Sequence, residues 1–396
     1  MIISPATNIA SSPVTLPDEL IAEVLSLLKP KSLLRLKCVS KSWNSLISDP
    51  FFVNMHLIKS SRNPNIILFP EDFRNTSSIA LLNPFLLLRS MLENPFLIPC
   101  SLLENPSIFL FPEDSKYKLM ESYCHIIGSC NGLICLVYSP LRVDSPCRNE
   151  LFLWNPATKW LSQKLASHDS KFEFKFSFGY DNLTDKYKVV AFRPNKVRVL
   201  TLGDNVWRNI QSFPTYPYHY TNVCVYLSNS LNWFALRGIR PYYHYRRANL
   251  SVQQFVIISL NLEIETYTQF QFPQGFDQVP IVPPIVCRLM ESLCFSHYSM
   301  EYSIECSFVI WQMKEFGVQE SWTKLLKFDY HNILHSVDHR VVSLLPLHVF
   351  ENGDTLILAR NLQQLICYNS RENRVVRQAT FTNSIDLRWF KCQPLR

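Results

Sequence analysis

The chain is poor in glycine, which accounts for only 8 of its 396 residues. These glycines form neither a glycine-rich phosphate loop nor a Gly-x-Ser-x-Gly elbow, and no paired-carboxylate motif stands out. Such patterns are the usual sequence signs of nucleotide binding, serine hydrolysis and general acid–base chemistry. We therefore expect no catalytic activity and no bound cofactor.

The 12 cysteines include no Cys-x-x-Cys pair. Without that spacing, a zinc ribbon or zinc finger is a poor interpretation, and we expect no metal site. Scattered cysteines in a large chain fit buried thiols in a reducing compartment. We accordingly expect the protein in the cytoplasm, the nucleus or both.

No segment has the pattern of a secretory signal or a membrane span. The N-terminal stretch MIISPATNIASSP lacks both a basic segment and a sustained apolar core. The most apolar region, residues 83–103, is interrupted by Arg89, Glu93, Pro95 and Pro99. A helix through this region would bury charge in a bilayer, so we predict no transmembrane segment and no membrane partner.

Short apolar runs are what the sequence has in abundance. Apolar residues make up 47% of the chain and aromatics 13%, and 25 prolines are spread through it. Short apolar and aromatic runs bounded by turn residues favour β-strands. We predict strands at 66–69, 132–138, 150–155, 174–180, 187–192, 197–202, 255–262, 292–298, 307–313, 355–360 and 364–369.

The predicted strands recur in loosely similar units of about 45 to 60 residues, a period typical of β-propeller blades. Five such units can be distinguished between residue 132 and the C-terminus. A sixth can be assembled from residues 58–125 and closed by the C-terminal strand. The sequence thus predicts a large all-β domain, a β-propeller of six blades.

The first 60 residues have a different pattern. Residues 1–13 are rich in Ser, Pro, Ala and Asn, and we predict them to be disordered. From Thr15 onwards apolar residues follow a helical period, and Pro30 should end the first helix. Ser32 and Ser40 are candidate N-caps of a second and a third helix, and Asp49-Pro50 should stop the third.

Three short helices of this kind carry more large apolar side chains than they can hide among themselves, so the surplus should face another surface. Cations lie between the apolar positions, where their long stems can cover the rim of such a surface. The net charge of +7 is too dilute over this length to indicate nucleic acid by itself.

Two stretches resemble known plant domains. LPDELIAEVLSLLKPKSLLRLKCVSKSWNSLISDPFF, which begins at Leu16, resembles an F-box. GSCNGLICL from Gly128, LFLWNPATKW from Leu151 and FGYDNLTDKYKVV from Phe178 resemble the plant F-box-associated domain. The resemblance implies an α+β multidomain chain: a disordered segment at 1–13, a three-helix all-α F-box at 14–57, and a large all-β propeller at 58–396.

The resemblance also implies a role. Such a chain would be the substrate receptor of an SCF-type cullin-RING ubiquitin ligase, with no enzymatic activity of its own. The F-box would bind a Skp-family adaptor and, through it, the cullin and RING subunits, while the β domain would hold an unknown protein substrate. Carried over position by position, the adaptor-binding residues are Leu16, Pro17, Leu20, Ile21, Leu25, Leu28, Leu33, Leu36, Val39 and Trp43.

One segment suggests where a substrate binds. Residues 237–250 combine arginines with tyrosines, which are favoured at binding hot spots, and propeller loops carry specificity. Three alternatives are open: the segment binds an acidic protein segment, it binds a single-stranded nucleic acid, or it is a loop that binds no ligand. The candidate substrate-binding residues are Arg237, Arg240, Tyr242, Tyr243, Tyr245, Arg246 and Arg247.

Other candidates have plainer interpretations. His331, His335 and His339 are spaced four apart, but the glutamate of a zincin motif is missing, so an inter-blade loop is the better interpretation. Cys124 and His125 are adjacent in a predicted strand and so point to opposite faces, which suits a buried thiol better than a nucleophile. We predict that five tryptophans pack in the cores of the blades and do not contact a ligand: Trp154, Trp160, Trp207, Trp311 and Trp322.

A second function remains open at this point. The basic strip at residues 28–52 and the 237–250 loop could together make a nucleic-acid-binding β-propeller scaffold without a ligase role. Nucleic acid is the disfavoured partner, because the positive charge is spread thinly.

Overall fold

The computed structural model describes residues 16–60, 65–70, 80–82, 122–140, 147–156, 160–170, 172–204, 206–218, 224–238, 245, 249–301, 305–329, 344–360, 364–380 and 387–392. The segment predicted to be disordered, 1–13, lies outside these ranges. Contacts divide the chain into two compact units, residues 1–62 with 395–396 and residues 63–394.

The N-terminal unit is entirely helical. Its elements are α1 Asp18–Leu25, α2 Pro30–Leu36, α3 Lys41–Ser48 and α4 Pro50–Ser60. Asp18 and Glu19 occupy the first turn of α1, where carboxylates interact favourably with the helix dipole. Ser40 caps α3 as predicted, because its Oγ accepts a hydrogen bond from Trp43 N at 3.1 Å.

One local prediction in this unit is wrong and one helix was not predicted, and proline explains both. Pro30 is the first residue of α2, so Ser32 lies inside α2 and is not its cap. The third helix stops at Asp49 as predicted, but the chain then enters a further helix. The Asp49 carboxylate accepts hydrogen bonds from Phe51 N at 2.8 Å and Phe52 N at 3.3 Å, and a fourth helix begins at Pro50. Proline suits the first turn of a helix, where its missing N–H is not needed.

The described residues of the C-terminal unit form six antiparallel sheets, the blades of a β-propeller. The strands are β1 Asn65–Pro70, β2 Ala80–Leu82, β3 Ser122–Cys130, β4 Leu133–Pro140, β5 Cys147–Asn155, β6 Trp160–Leu161, β7 Ala166–Ser170, β8 Lys175–Asp181, β9 Lys186–Arg193, β10 Lys196–Thr201, β11 Trp207–Ile210, β12 Val225–Leu227, β13 Ser230–Leu236, β14 Phe255–Asn261, β15 Tyr267–Gln271, β16 Ile285–Leu289, β17 Ser292–Glu301, β18 Glu305–Met313, β19 Trp322–Asp329, β20 Leu344–Val349, β21 Thr355–Arg360, β22 Gln364–Asn369, β23 Arg374–Thr380 and β24 Leu387–Cys392.

Five blades are formed by consecutive strands. Strands β3 to β7 form the first blade, with β7 paired to β5, and β8–β11, β12–β15, β16–β19 and β20–β23 form the next four. Contacts between β3 and β8, β8 and β13, β12 and β16, and β16 and β20 join these blades in chain order. All eleven predicted strands coincide with strands of the structure.

The sixth blade combines strands from the beginning and the end of the C-terminal unit. Strand β24 pairs with β1 in an antiparallel register that runs from Asn65 opposite Cys392 to Pro70 opposite Leu387, and β2 pairs with the other edge of β1. Strand β24 also contacts β3 of the first blade. The prediction that the C-terminal strand completes a sixth blade is therefore confirmed. Pairing with β24 covers an edge of β1 that could otherwise recruit another chain.

The core lies between blades. Phe178 of the second blade packs with Cys135 and Leu151 of the first, and Trp233 of the third packs with Phe192 of the second. Among the predicted packing tryptophans, Trp154, Trp311 and Trp322 are buried and Trp207 is partly buried. Trp160 is the exception, because 54% of its surface is exposed at the end of the short edge strand β6.

The two ends of the propeller differ, because antiparallel strands send alternate connections to opposite ends. At one end the turns are tight and contain residues with positive φ, such as Asn131-Gly132, Ser228-Asn229 and Met290-Glu291. Positive φ at both central residues is the mark of type I′ hairpins, which match strand twist. The longer connection from β13 to β14, residues 237–254, lies at the opposite end. That end has more chain available for recognition.

A buried histidine makes stability depend on pH. Trp311 Nε1 donates a hydrogen bond to His297 Nε2 at 3.1 Å, which requires a neutral imidazole, and Phe276 packs against the ring at 4.9 Å. Burial, reinforced by the charge of Lys324, lowers the pKa of His297 from 6.5 to about 4. Below pH 6.5 His297 binds a proton in the unfolded chain but stays neutral in the folded one. The contribution of His297 to the free energy of unfolding is therefore complete above pH 6.5 and is lost as the pH drops towards 4.

We expect His297→Gln to flatten this pH dependence. Glutamine keeps an oxygen acceptor for Trp311 but does not titrate, so up to about 3 kcal/mol of the loss between pH 6.5 and pH 4 should disappear. Denaturant midpoints measured across this pH range on wild type and variant provide the check. Equal pH slopes in the two proteins would show that His297 is not responsible.

Candidate partner-docking surfaces

The inner side of the helical unit is a small core. Leu25, Leu33, Ile47 and Phe52 are all buried, with exposed fractions of 2 to 6%. Ile21, Ala22, Leu28, Leu36, Trp43, Leu46 and Met55 pack around them. Helix α4 is tied to the rest by His56 Nε2, which hydrogen-bonds Leu28 O at 2.9 Å, and by the Lys59–Glu23 ion pair at 2.5 Å.

The outer side of α1 is also apolar. Leu20 and Val24 are four residues apart on one face of α1, and Leu16 and Leu27 lie just before and just after the helix. Their exposed fractions are 64%, 54%, 62% and 73%. Contiguous exposed apolar surface on a small unit marks a site of protein association. We name these four residues the outer stripe.

Further exposed apolar residues lie on the other helices. Leu34 and Val39 lie in and just after α2, with 42% and 63% of their surfaces exposed. Phe51, in the first turn of α4, is 79% exposed. Arg35 and Lys41 are exposed and Lys37 is half-buried, and in the part of the chain that the structure describes none of these three cations has a carboxylate within 4.0 Å. The helical unit therefore offers apolar surface flanked by positive charge.

The predicted adaptor-binding residues separate into two groups. Leu16, Pro17, Leu20 and Val39 are exposed and available to a partner. Ile21, Leu25, Leu28, Leu33, Leu36 and Trp43 pack in or against the core of the unit. Residues of the second group act indirectly, because their packing holds the helices that carry the exposed residues in place.

Sequence reasoning did not include four exposed apolar residues in the docking set. Val24 lies four residues after Leu20 and Leu27 three residues after Val24, so periodicity could have found them. No spacing in the sequence marked Leu34 or Phe51 as exposed docking residues. The orientation of Phe51 depends on α4, which was not predicted.

The candidate substrate-binding residues lie mostly outside the described ranges, including Arg240, Tyr242, Tyr243, Arg246 and Arg247. Arg237 is half-buried, and its Nε donates to Gln269 Oε1 at 3.1 Å. Tyr245 belongs to the core: it is 8% exposed, its hydroxyl donates to Pro280 O at 2.8 Å, and its ring packs against Phe255. Its assignment as a substrate contact is therefore corrected to a packing role.

The remaining sequence candidates add no catalytic arrangement. His331, His335 and His339 lie outside the described residues. Cys124 and His125 are adjacent in β3. Cys38, Cys130, Cys135, Cys224, Cys287, Cys294, Cys306 and Cys367 are present as thiols, and burial raises the pKa of Cys367 to about 11 and that of Cys224 to about 12. Within those ranges no helix has the length and apolar character to cross a membrane.

Comparison with known proteins agrees with this architecture. The family model of the F-box domain matches residues 15–54, and that of the F-box associated beta propeller domain matches residues 104–379. The F-box/kelch-repeat protein At3g23880 of Arabidopsis thaliana is 28% identical over 332 residues, which cover 80% of this chain and 80% of that protein. F-box protein CPR1 of the same plant is 24% identical over 394 residues, covering 91% of this chain and 83% of CPR1.

A third relative, F-box protein At1g11270 of Arabidopsis thaliana, is 31% identical over 248 residues, which cover 55% of this chain and 67% of that protein. The matched propeller model spans more than half of the chain and lies C-terminal to the matched F-box. The chain therefore belongs to the F-box proteins that carry an F-box associated beta propeller domain.

Proposed function

We propose that this chain is the substrate-receptor subunit of an SCF-type cullin-RING ubiquitin ligase. Its F-box binds a Skp-family adaptor, which links it to the cullin and RING subunits, and its propeller holds the protein to be ubiquitinated. The outer stripe is the observation that carries the proposal, since an F-box with four exposed apolar residues in and beside α1 needs a partner to cover them. Membership of the F-box family supports the same role.

The outer stripe and its surroundings suit this partner in two ways. Burying Leu16, Leu20, Val24 and Leu27 supplies the affinity, because large apolar side chains at the centre of an interface dominate its energy. Arg35, Lys37 and Lys41 supply positive charge near that surface. This charge speeds association with an acidic adaptor more than it tightens the complex.

In this role the chain makes and breaks no bonds. An E2 enzyme carries ubiquitin as a thioester, and a lysine amine of the held protein attacks it. The receptor contributes by raising the local concentration of that lysine near the E2. We place the protein in the cytoplasm or the nucleus, where such ligases would meet it.

Affinity purification tests the proposal on the full chain. Wild type, expressed in plant cells with the proteasome inhibited, should co-purify with a Skp-family adaptor, a cullin and one or more ubiquitinated proteins. A Leu20→Glu/Leu27→Glu variant should lose the adaptor and cullin and retain the same proteins without added ubiquitin. Ubiquitination that persists in the variant at the wild-type level would contradict the receptor role.

A further inference from the structure

The second blade carries an uncompensated group of cations at the end of the propeller with the longer connections. Strands β9 and β10 are joined by the turn Pro194-Asn195, and Arg193 and Lys196 lie directly opposite each other across it. Arg198 follows Lys196 on the same face of β10, at a distance of about 7 Å along the strand. We name these three half-buried residues the hairpin cluster.

The hairpin cluster has no carboxylate within 4.0 Å of Arg193, Lys196 or Arg198 among the residues that the structure describes. Asp169, on strand β7 of the first blade, lies 3.8 Å from Arg148 instead. Like charges directly opposite each other destabilise a pair of strands. An anion that binds between them would relieve this repulsion.

Aromatic residues hold one member of the cluster in place. The Arg193 guanidinium lies 4.5 Å from the ring centre of Phe172 and 5.6 Å from that of Phe174, and its Nε has no hydrogen-bond acceptor in the described part of the chain. Phe172 is 58% exposed, so this stacked pair is accessible. An orientation set before a ligand arrives lowers the entropy lost on binding.

A pocket opens on the other side of the same turn. It encloses about 220 Å³, and its walls combine Phe213, Tyr216 and Leu236 with the polar residues Asn195 and Thr215. Side chains alternate across a strand, so Phe192 and Val197 face the Phe213 side, whereas Arg193 and Lys196 face the opposite side. The turn therefore separates this pocket from a positive surface, with both at one end of the propeller.

We propose that this hairpin binds an acidic, extended segment of the target protein. One side chain of that segment occupies the pocket against Phe213 and Leu236, and carboxylates at alternate positions reach the hairpin cluster, whose spacing of about 7 Å matches two residues of extended chain. The proposal rests on the receptor role and names the class of substrate for it. A peptide is favoured over nucleic acid because the cations form a compact group of three, not a long stripe with several free aromatic faces.

Fluorescence polarisation with the full chain tests this site. The probe is a fluorescein-labelled peptide with glutamates at alternate positions around one leucine. Arg193→Gln/Lys196→Gln/Arg198→Gln should weaken binding by about tenfold or more, because three charge pairs are lost. Replacing the leucine of the probe with alanine should weaken binding to the wild-type chain, since the pocket is then empty.

A matched control removes three cations from the opposite end. Lys186→Gln/Arg371→Gln/Arg374→Gln changes the net charge equally, and these residues pair with Asp204, Asp354 and Glu372. It should bind the probe within about twofold of wild type if the effect is local, since screening limits charge effects at long range. Equal loss in both triple variants, or preference of the wild-type chain for a single-stranded oligonucleotide, would overturn the proposal.

This experiment separates the site from the receptor role, because the binding assay contains no adaptor. A chain that captures the adaptor and ignores the peptide refutes the hairpin site alone. A chain that binds the peptide at the hairpin and never captures an adaptor supports the site and refutes only the receptor role.

Discussion

We expect Leu20→Glu to weaken binding of a Skp-family adaptor by about 100-fold or more, because a central apolar contact of an interface is worth about 2–4 kcal/mol. Leu20 lies in the middle of the outer stripe, between Leu16 and Val24, and 54% of its surface is exposed. A carboxylate at this position would have to be buried without a partner when the adaptor covers the stripe. Titration of labelled adaptor against the purified chain measures the loss.

Two further variants show whether the loss comes from the interface. Leu183→Glu changes a residue that is 71% exposed in the propeller and should leave adaptor affinity unchanged. Leu36→Glu should lose both affinity and folded structure in the helical unit, because Leu36 packs against its core. Circular dichroism distinguishes the two mechanisms. Wild-type adaptor affinity in a folded Leu20→Glu chain would disprove the outer stripe as the docking surface.

The second large effect concerns the propeller. We expect Lys188→Met to lower the free energy of unfolding by about 3–5 kcal/mol, the usual result of removing one partner of a buried ion pair. Lys188 is almost fully buried, and its Nζ lies 2.8 Å from Asp181 Oδ2 and 3.1 Å from Glu265 Oε1. It also donates to Leu262 O at 2.5 Å. Methionine fills the same space but leaves the Asp181 carboxylate buried and unneutralised.

Hydrogen bonds keep the carboxylates of Asp181 and Glu265 ionised in this network. Burial alone would raise the pKa of Asp181, but donation from Lys188, Thr184 and the Leu183 backbone holds that pKa below its usual value. The folded state thus binds a proton at Asp181 less readily than the unfolded state does. Its stabilisation is present above the ordinary pKa of an aspartate and is lost as the pH falls through the lowered one. Glu265 behaves in the same way, with Arg208 as its second partner.

The controls for Lys188 come from the same strand. Lys186 forms an exposed ion pair with Asp204 at 3.0 Å, so Lys186→Met should cost no more than about 1 kcal/mol. Adding Asp181→Asn to Lys188→Met should recover part of the loss, because asparagine keeps an oxygen for the Leu183 amide and carries no charge. Denaturant unfolding of the full chain gives these differences. A Lys188→Met variant as stable as wild type would show that the buried network does not stabilise the propeller.

Much of the fold could be predicted from local sequence patterns. The strand at 187–192 and its partner at 197–202 were predicted because each is a short apolar run bounded by turn residues. The cap at Ser40 was predicted because a serine before a helical run has a specific local hydrogen bond to accept. The start of α4 had an equally local signal in Asp49-Pro50, which was interpreted as a stop because the same residues favour turns.

Only some of the docking residues could be predicted from the sequence. Helix α1 is apolar on two sides, and periodicity cannot say which side the other helices cover. Packing decides this: Leu25 faces Leu33, Ile47 and Phe52, so Leu20 and Val24 are left outside. Tyr245 was misassigned for a related reason, since an aromatic among arginines resembles a recognition residue until its contacts are known.

The sequence by itself determined the helical F-box, the repeated blades and the need for a partner, because these depend on spacings within a few residues. Only the tertiary structure decided which apolar residues face outward, that β24 completes the blade begun by β1, and that Lys188 meets Glu265 across 77 positions of chain. The same holds for the hairpin pocket, whose walls come from residues 194 to 238. Contacts between distant segments leave no periodic trace in the sequence, since each segment is selected for a neighbour that lies close only after folding.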